Sequence, residues 1–329
     1  MAQTRQQIIE LLESISREPN RKLGQHFMID EKLVDRLVAE AALADQPVVV
    51  EIGPGTGTLT GALLAAGAEV VAVEIDPILA DLVESELGEQ FPGRLTVIRG
   101  DVLEGKHHLN NQLIEKLGEL VGAERQERQS AERETLQITE RQAEEISNSN
   151  ARNEGRIPKR VARLVANLPY NIASPLVAEL IDLTWGGRIV FDRLVFTVQR
   201  EVADRLTAGP DTKEYGPLSV LCQSVGRVDW LVHKISPNAF FPKPNVFSAM
   251  LAVSLPAERV AAVTDLESLH QWLDAGFGHR RKTLAASIRF APTDWQIRLT
   301  TAAVAAGIDL TRRGETLTID EYLALARQT

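Results

Sequence analysis

The sequence predicts an α/β fold, a doubly wound, largely parallel sheet followed by a small all-α C-terminal part. Three observations predict it. Short apolar runs alternate with helical patterns over most of the chain, a Gly-rich turn links the first run to a helix, and strand patterns stop near residue 256. A run that is apolar throughout, rather than alternating, suits a strand buried on both faces of a parallel sheet.

The elements follow in order. Residues 1–20 read as a short amphipathic helix or a tail, ending at Pro19. A helix is expected over 30–44, with Asp30 as its N-cap and Leu33, Leu37 and Ala41 on one side. A strand at 47–52 precedes the Gly-rich turn, and Leu59, Leu63 and Leu64 mark the helix after it. A strand at 69–74, a helix at 77–88 and a strand at 95–99 come next. Further strands are predicted at 163–166, 194–199, 230–235 and 248–254, and helices from 256 to the end.

One segment breaks this rhythm. From about 105 to 158 the chain is polar and almost free of aromatic residues. Its 109–122 stretch has helical periodicity, 123–147 continues as a charged helix, and a loop follows. So long a connection is unusual inside a compact domain, so it reads as a surface insertion. The expected layout is an N-terminal helix or tail (1–20), a ligand-binding α/β domain (21–255) carrying this insertion, and a small helical domain (256–329).

Bulk properties narrow the class. The chain has 329 residues, enough for a large core and a smaller appendage, and 44% of them are apolar. No run approaches the roughly 18 consecutive apolar residues of a membrane helix. The N-terminus lacks the apolar stretch and cleavage site of a secretory leader. Cys222 is a lone cysteine with no Cys/His cluster around it, which predicts a buried apolar role, no metal site and a reducing, cytoplasmic setting. The net charge of −9 excludes a uniformly basic surface. Residues 188–289, however, carry 13 Lys and Arg against 10 Asp and Glu, leaving room for a local basic face.

The Gly-rich turn is Glu51-Ile52-Gly53-Pro54-Gly55-Thr56-Gly57. Glycines here let the backbone turn sharply and approach a ligand. Glu74, 21 residues beyond Gly53, ends the next strand and suits the two hydroxyls of a ribose. Asp101 follows the third strand and suits an adenine amine. Three acidic strand ends in register point to an adenosine-containing cofactor. The spacing G-x-G-x-G differs from the G-x-G-x-x-G that cradles a pyrophosphate. Glu51 and the loop backbone fit the amine and carboxylate of S-adenosylmethionine better, though a nucleotide-dependent dehydrogenase remains open at this point.

Asn167-Leu168-Pro169-Tyr170 decides between them. An aromatic exocyclic amine is a poor nucleophile because its lone pair is delocalised into the ring. Two acceptors that fix its N–H bonds direct that lone pair at a methyl group. The Asn167 side-chain oxygen and the Leu168 carbonyl supply them. Pro169 stiffens the turn, and Tyr170 offers a face on which an extruded base stacks. Positioning, rather than acid–base chemistry, should carry the rate.

These segments resemble the ribosomal RNA adenine dimethyltransferase family, in its bacterial small-subunit branch (the KsgA/RsmA type). The carrying residues are Leu23-Gly24-Gln25-His26-Phe27-Met28, the glycine loop, Glu74-Ile75-Asp76, Gly100-Asp101 and Asn167 through Ile172. Gln199 through Ala203, Tyr215 through Ser219, Phe240 through Val246 and Arg280-Arg281-Lys282-Thr283-Leu284 continue the match in order. The resemblance implies a Rossmann-like class I methyltransferase sheet. It also implies S-adenosylmethionine as cofactor, contacted by Gln25, His26, Met28, Glu51, Gly53, Gly55, Glu74, Asp101 and Asn167. Asn167 through Tyr170, with Phe240, would form the adenine pocket. Arg280, Arg281 and Lys282, expected to begin a helix, would bind RNA phosphates, with Arg200 and Lys243 on the same rim. The implied reaction is N6-dimethylation of two adjacent adenosines in the 3′-terminal hairpin loop of 16S rRNA, within the immature small ribosomal subunit, by a monomer. His26 and Met28 occupy positions that are usually Asn and Leu in this family, and residues 105–158 have no usual counterpart. The rival readings are a large-subunit rRNA adenine methyltransferase that confers antibiotic resistance, and a noncatalytic assembly factor on the same fold.

Overall fold

A computed structural model describes residues 2–20, 23–105, 108–122 and 160–329. The sheet has seven strands. Strands β2 (Val48–Ile52), β3 (Glu69–Glu74), β4 (Leu95–Arg99), β5 (Ala162–Asn167) and β6 (Phe191–Gln199) run parallel. β9 (Ser248–Ser254) lies antiparallel between β6 and the edge strand β7 (Arg227–Ile235), giving the order β4-β3-β2-β5-β6-β9-β7. All five residues of β2 are buried, as expected for a central parallel strand covered on both faces.

Helices cover the sheet. On the early part are α2 (Glu31–Glu40), α3 (Thr58–Ala65) and α4 (Pro77–Gly88). Asp30 caps α2 through Oδ1, which accepts from the Lys32 amide at 3.0 Å, and Asp76 caps α4 in the same way at the Ile78 amide. On the later part are α6 (Ala173–Trp185), α7 (Arg200–Leu206) and α8 (Pro217–Val225). An additional helix, α1 (Arg5–Ser14), opens with a Thr4 capping box and buries Ile8 and Leu12 against Phe27, Leu79 and Leu82.

The segment expected to be a surface insertion begins as part of the core. Helix α5 (Asn111–Val121) is capped by Asn110, whose Oδ1 accepts from the Gln112 amide at 2.9 Å and from that of Leu113. Leu113, Leu117 and Val121, spaced by four, are buried in the main apolar cluster. Burial of each is worth roughly 1.5–3 kcal/mol, so α5 is a covering helix of the sheet rather than an appendage. The charged helix and loop predicted over 123–158 lie outside the described residues.

The C-terminal helices α9 (Ala257–Ala262), α10 (Leu266–Phe277), α11 (Leu284–Ile288), α12 (Thr293–Ala305) and α13 (Ile319–Gln328) pack into one apolar cluster with the sheet. Tyr215 donates its hydroxyl to the Leu317 carbonyl at 2.9 Å, joining the two parts. A side chain at Gly314 would stand 2.3 Å from the Gly276 Cα, so the lack of a Cβ at 314 lets these backbones meet. Among the described residues no helix is long and apolar enough to cross a membrane.

Two short strands were not foreseen. β1 (Phe27–Met28) pairs antiparallel with β8 (Phe240–Phe241), setting Phe27 opposite Phe241 and Met28 opposite Phe240. This pair brings the segment before α2 to the carboxyl edge of the main sheet, where the site lies.

Candidate active site

The sheet reverses direction between β2 and β5. After β2 the chain winds outward through β3 and β4, then returns to the other side of β2 as β5. In an open α/β sheet the loops at such a point diverge and leave a crevice beyond the carboxyl ends of the strands. The crevice here is lined by Gln25, His26 and Met28 above, by Glu51 near the end of β2 with Gly53 and Gly55 after it, and by Glu74, Asp101 and Asn167 at three further strand ends. All nine residues expected at a cofactor thus line one cleft, and Pro169 joins them.

The glycine loop is held by Glu74. Its Oε2 accepts from the Gly55 amide at 3.0 Å and its Oε1 from the Asp76 amide at 3.0 Å. Each carboxylate oxygen keeps a second lone pair for a ligand hydroxyl. Burial raises the Glu74 carboxyl above its ordinary pKa, against the backbone amides of Asp76, Gly55 and Ile75 that lower it. Glu51 is 2% exposed, and burial pushes its carboxyl up to about 8, with the Glu74 charge adding to the effect. Within the described residues neither Glu51 Oε2 nor Gln25 Nε2 has a hydrogen-bond partner, although both are buried and both residues line the cleft. Buried polar atoms left unpaired cost about 1–3 kcal/mol each. An acceptor and a donor of this kind facing one cavity fit a ligand bearing an ammonium and a carboxylate.

Gly55 has φ +59°, and a Cβ there would stand 2.8 Å from two ring carbons of Phe27. Phe27 is pinned by β1–β8 pairing and by α1, so it cannot yield freely. Gly55→Ala is therefore expected to cost roughly 1–2 kcal/mol from backbone strain alone, and to displace the roof of the cleft. Thermal unfolding should show the loss of stability, and calorimetry a drop in cofactor affinity.

Asn167, at the end of β5, is locked on both sides. Its Nδ2 donates to the His26 carbonyl at 2.9 Å, and its Oδ1 accepts from Thr197 Oγ1 at 2.5 Å. The Oδ1 expected to be free for an acceptor amine thus already receives one hydrogen bond and has one lone pair left. The Thr197 carbonyl in turn accepts from the Leu168 amide at 3.1 Å, fixing the start of the Leu168-Pro169 segment. Leu168 is buried and does not line the cleft. Tyr170 also stands outside the lining. Its hydroxyl pairs with Ser248 Oγ at 2.8 Å, and its ring lies 5.6 Å from that of His26. Burial raises the Tyr170 phenol above its ordinary pKa, so it stays protonated near neutrality.

Three expectations need correction. Phe240 does not present a ring to the cleft: it is 3% exposed and packs in one apolar cluster with Met28. Arg280-Arg281-Lys282 does not begin a helix, because α11 starts at Leu284 under a Thr283 cap and the three cations occupy the preceding turn. Nor are they three free charges. Arg280 pairs with Glu315 at 2.5 Å and donates to the Thr212 carbonyl at 2.8 Å, while Lys282 lies 4.1 Å from the Phe290 ring centroid. Arg281 is exposed.

Sequence reading also missed several contributors. Gln3 donates to the Thr56 carbonyl at 3.0 Å and accepts from Thr58 Oγ1 at 2.8 Å, bracing the glycine loop from outside. Thr197 and Ser248 fix Asn167 and Tyr170 from neighbouring strands. These partners are distant in sequence and carry no motif, so only the fold reveals them.

A cleft of this chemistry at this switch point fits an adenosine cofactor beside an Asn-Leu-Pro-Tyr acceptor segment. The sequence pattern described as ribosomal RNA adenine dimethylase matches residues 17–326. The chain belongs to that family. As a family member it is an S-adenosylmethionine-dependent rRNA adenine dimethyltransferase. It is 35% identical to "Ribosomal RNA small subunit methyltransferase A" of Bifidobacterium adolescentis, over 94% of this chain and 88% of the relative. It is 34% identical to the protein of the same name from Rhodospirillum rubrum, over 97% and 90%. Among solved structures, a dimethyladenosine transferase from Plasmodium falciparum superposes with a TM-score of 0.62 at 20% identity, covering 91% of this chain and 96% of that one. The 23S rRNA methyltransferase ErmE gives 0.53 at 22% identity, covering 92% and 98%. At those identities the two structures establish the shared fold, which is the α/β methyltransferase sheet predicted from sequence.

Proposed function

We propose that this dimethyltransferase acts on small-subunit rRNA, converting two adjacent adenosines of the 3′-terminal hairpin loop of 16S rRNA to N6-dimethyladenosine within the immature subunit. It works in the cytoplasm as a monomer. Full-length similarity to relatives named as small-subunit methyltransferases supports this choice over a large-subunit substrate. The observation that carries the site assignment is the single cleft in which unpaired Glu51 and Gln25 atoms, the Glu74 carboxylate, Asp101 and Asn167 converge.

S-adenosylmethionine supplies a methyl group carried on a positively charged sulfur. Glu51 and Gln25 hold its amino-acid end, Glu74 accepts from the two ribose hydroxyls, and Asp101 accepts from the adenine amine. Met28 and His26 close the cleft from above, with Gly53 and Gly55 giving the backbone close access.

On the acceptor side, Asn167 Oδ1 uses its remaining lone pair for one N–H of the target amine, and the Leu168 carbonyl takes the other. Fixing both N–H bonds aims the amine lone pair at the methyl group. Neither residue ionises, which suits a nitrogen that sheds its proton to water after transfer. Tyr170, braced by Ser248, flanks the extruded base, and Arg281 with Lys282 meets RNA phosphates at a distance from the chemistry.

Mass spectrometry of rRNA from cells lacking this protein tests the substrate. Loss of dimethyladenosine from 16S rRNA alone is the expected result. Loss from 23S rRNA with 16S rRNA intact would overturn it.

A further inference from the structure

The edge of the sheet beside the acceptor segment carries an aromatic and cationic surface that the reaction described above does not use. Phe247 is 43% exposed, an unusual state for a large apolar side chain next to a strand of the core. It immediately precedes Ser248, the partner of Tyr170. Its position is fixed by backbone, because the Phe247 carbonyl accepts from the Arg200 amide at 3.0 Å. The Lys234 ammonium stands 4.1 Å from the Phe247 ring centroid. Beside it, the Arg200 guanidinium lies 4.7 Å from the Trp230 ring centroid, and Trp230 stacks on His233 at 4.8 Å and 18°. Arg200 is partly neutralised by Asp204 at 2.9 Å. Lys234 has no carboxylate partner among the described ion pairs.

A rigid exposed ring with a cation over it suits a nucleotide, whose base has a π-face and whose phosphate is anionic. It suits a protein or lipid partner less well, since the exposed apolar residues are only Val246 and Phe247 and the adjoining charge is positive. The surface is also continuous with the acceptor segment through the Ser248–Tyr170 contact.

We propose that Phe247 and Lys234 form a stacking subsite for the nucleotide next to the target adenosine, with Phe247 bearing the base and Lys234 the phosphate. The inference rests on the reading that an RNA strand delivers its adenosine at Asn167. It adds that the neighbouring nucleotide is held in a second, separate place while the adenosine is extruded.

The test uses the full chain and undermethylated small-subunit particles as methyl acceptor. Phe247→Ala is expected to raise KM for the particles about tenfold, leaving KM for S-adenosylmethionine and the melting temperature unchanged. Phe247→Trp should restore the wild-type value. Lys234→Ala should lower the salt dependence of particle binding by about one unit of logarithmic slope. An unchanged KM for particles in Phe247→Ala, or an equal rise in both KM values, would overturn the subsite. Replacing Phe247 with p-benzoylphenylalanine and irradiating the complex gives a second readout. An adduct at the nucleotide adjoining the methylated adenosine is expected, whereas one on a ribosomal protein or on remote RNA contradicts the proposal. Should the wild-type protein methylate 23S rRNA and not the particles, the substrate reading fails by itself. The Phe247 comparison is then made on 23S rRNA with the same criteria, so the two failures are distinguishable.

Discussion

Asn167→Ala should lower kcat by about 100-fold or more, the scale of loss when a reacting group is displaced by an ångström. The substitution removes both locks at once, the bond to the His26 carbonyl and the acceptor for Thr197. The target amine then loses one of its two positioning acceptors and regains rotational freedom. Folding should survive, because Asn167 lies at the end of β5 and the strand pairing on either side does not involve its side chain. The freed Thr197 hydroxyl costs about 1–3 kcal/mol, which fixes the expected change in stability. Transfer of tritium from labelled cofactor into rRNA measures the first effect, and chemical denaturation the second. Asn167→Asp is the informative companion, since a carboxylate accepts but cannot donate to the His26 carbonyl. Activity within threefold of wild type in both variants would remove Asn167 from the proposed mechanism.

Cofactor binding should release a proton near neutral pH, and Glu51 should be its source. Burial, with the Glu74 charge adding to it, pushes the unliganded carboxyl up to about 8, well above its ordinary value of 4.5. At pH 7 it is therefore mostly protonated. A bound ammonium favours the ionised form, so the proton leaves as the ligand arrives. Apparent affinity should accordingly rise with pH by up to about tenfold per unit toward pH 8 and level off there. Stability of the unliganded protein has the opposite slope. A raised carboxyl pKa means the folded state binds more protons than the unfolded one between 4.5 and about 8. The stabilisation is full below pH 4.5 and declines up to about 8, by no more than about 1.4 kcal/mol per unit. Calorimetry in buffers of different ionisation enthalpy detects the released proton directly. Glu51→Gln should abolish the release and flatten the pH dependence of affinity. A wild-type protein that binds cofactor with no proton exchange at pH 7 would show that Glu51 meets no cation.

Much of this site was legible because it is written in local chemistry. The glycine loop must follow a buried strand to be useful, and β2 is recognisable from its unbroken apolar run. Asp30 and Asp76 announce their helices by capping them. Asn167 was found because its neighbours Pro169 and Tyr170 suit a stiff turn beside an aromatic face. What was hidden is non-local. The β1–β8 pair is too short for any periodicity, and its two halves have meaning only against each other. Phe240 was expected to face the cleft, yet packing against Met28 turns it into core. Helix α5 was legible from its periodicity, but its place in the core was not, because its three buried residues sit in a polar stretch. The basic run precedes α11 because Thr283 competes for the helix start, a detail that three adjacent cations obscure.

The pairing of Phe27 with Phe241 joins positions 214 residues apart. Chains emerge from the ribosome at about 5–20 residues per second, so the second half of this contact follows the first by roughly ten to forty seconds. In the last part of that interval, once Gln199 has been made, the five parallel strands have their sequence complete while the cleft has no roof. Cofactor capture during synthesis therefore waits for nearly three-quarters of the polypeptide, and a product cut short before β8 would carry the glycine loop in an open groove. A long-range closure of this kind is slow to find and is reached only once Phe241 has been made. Methyl-donor affinity is thereby a readout of whether synthesis has passed β8.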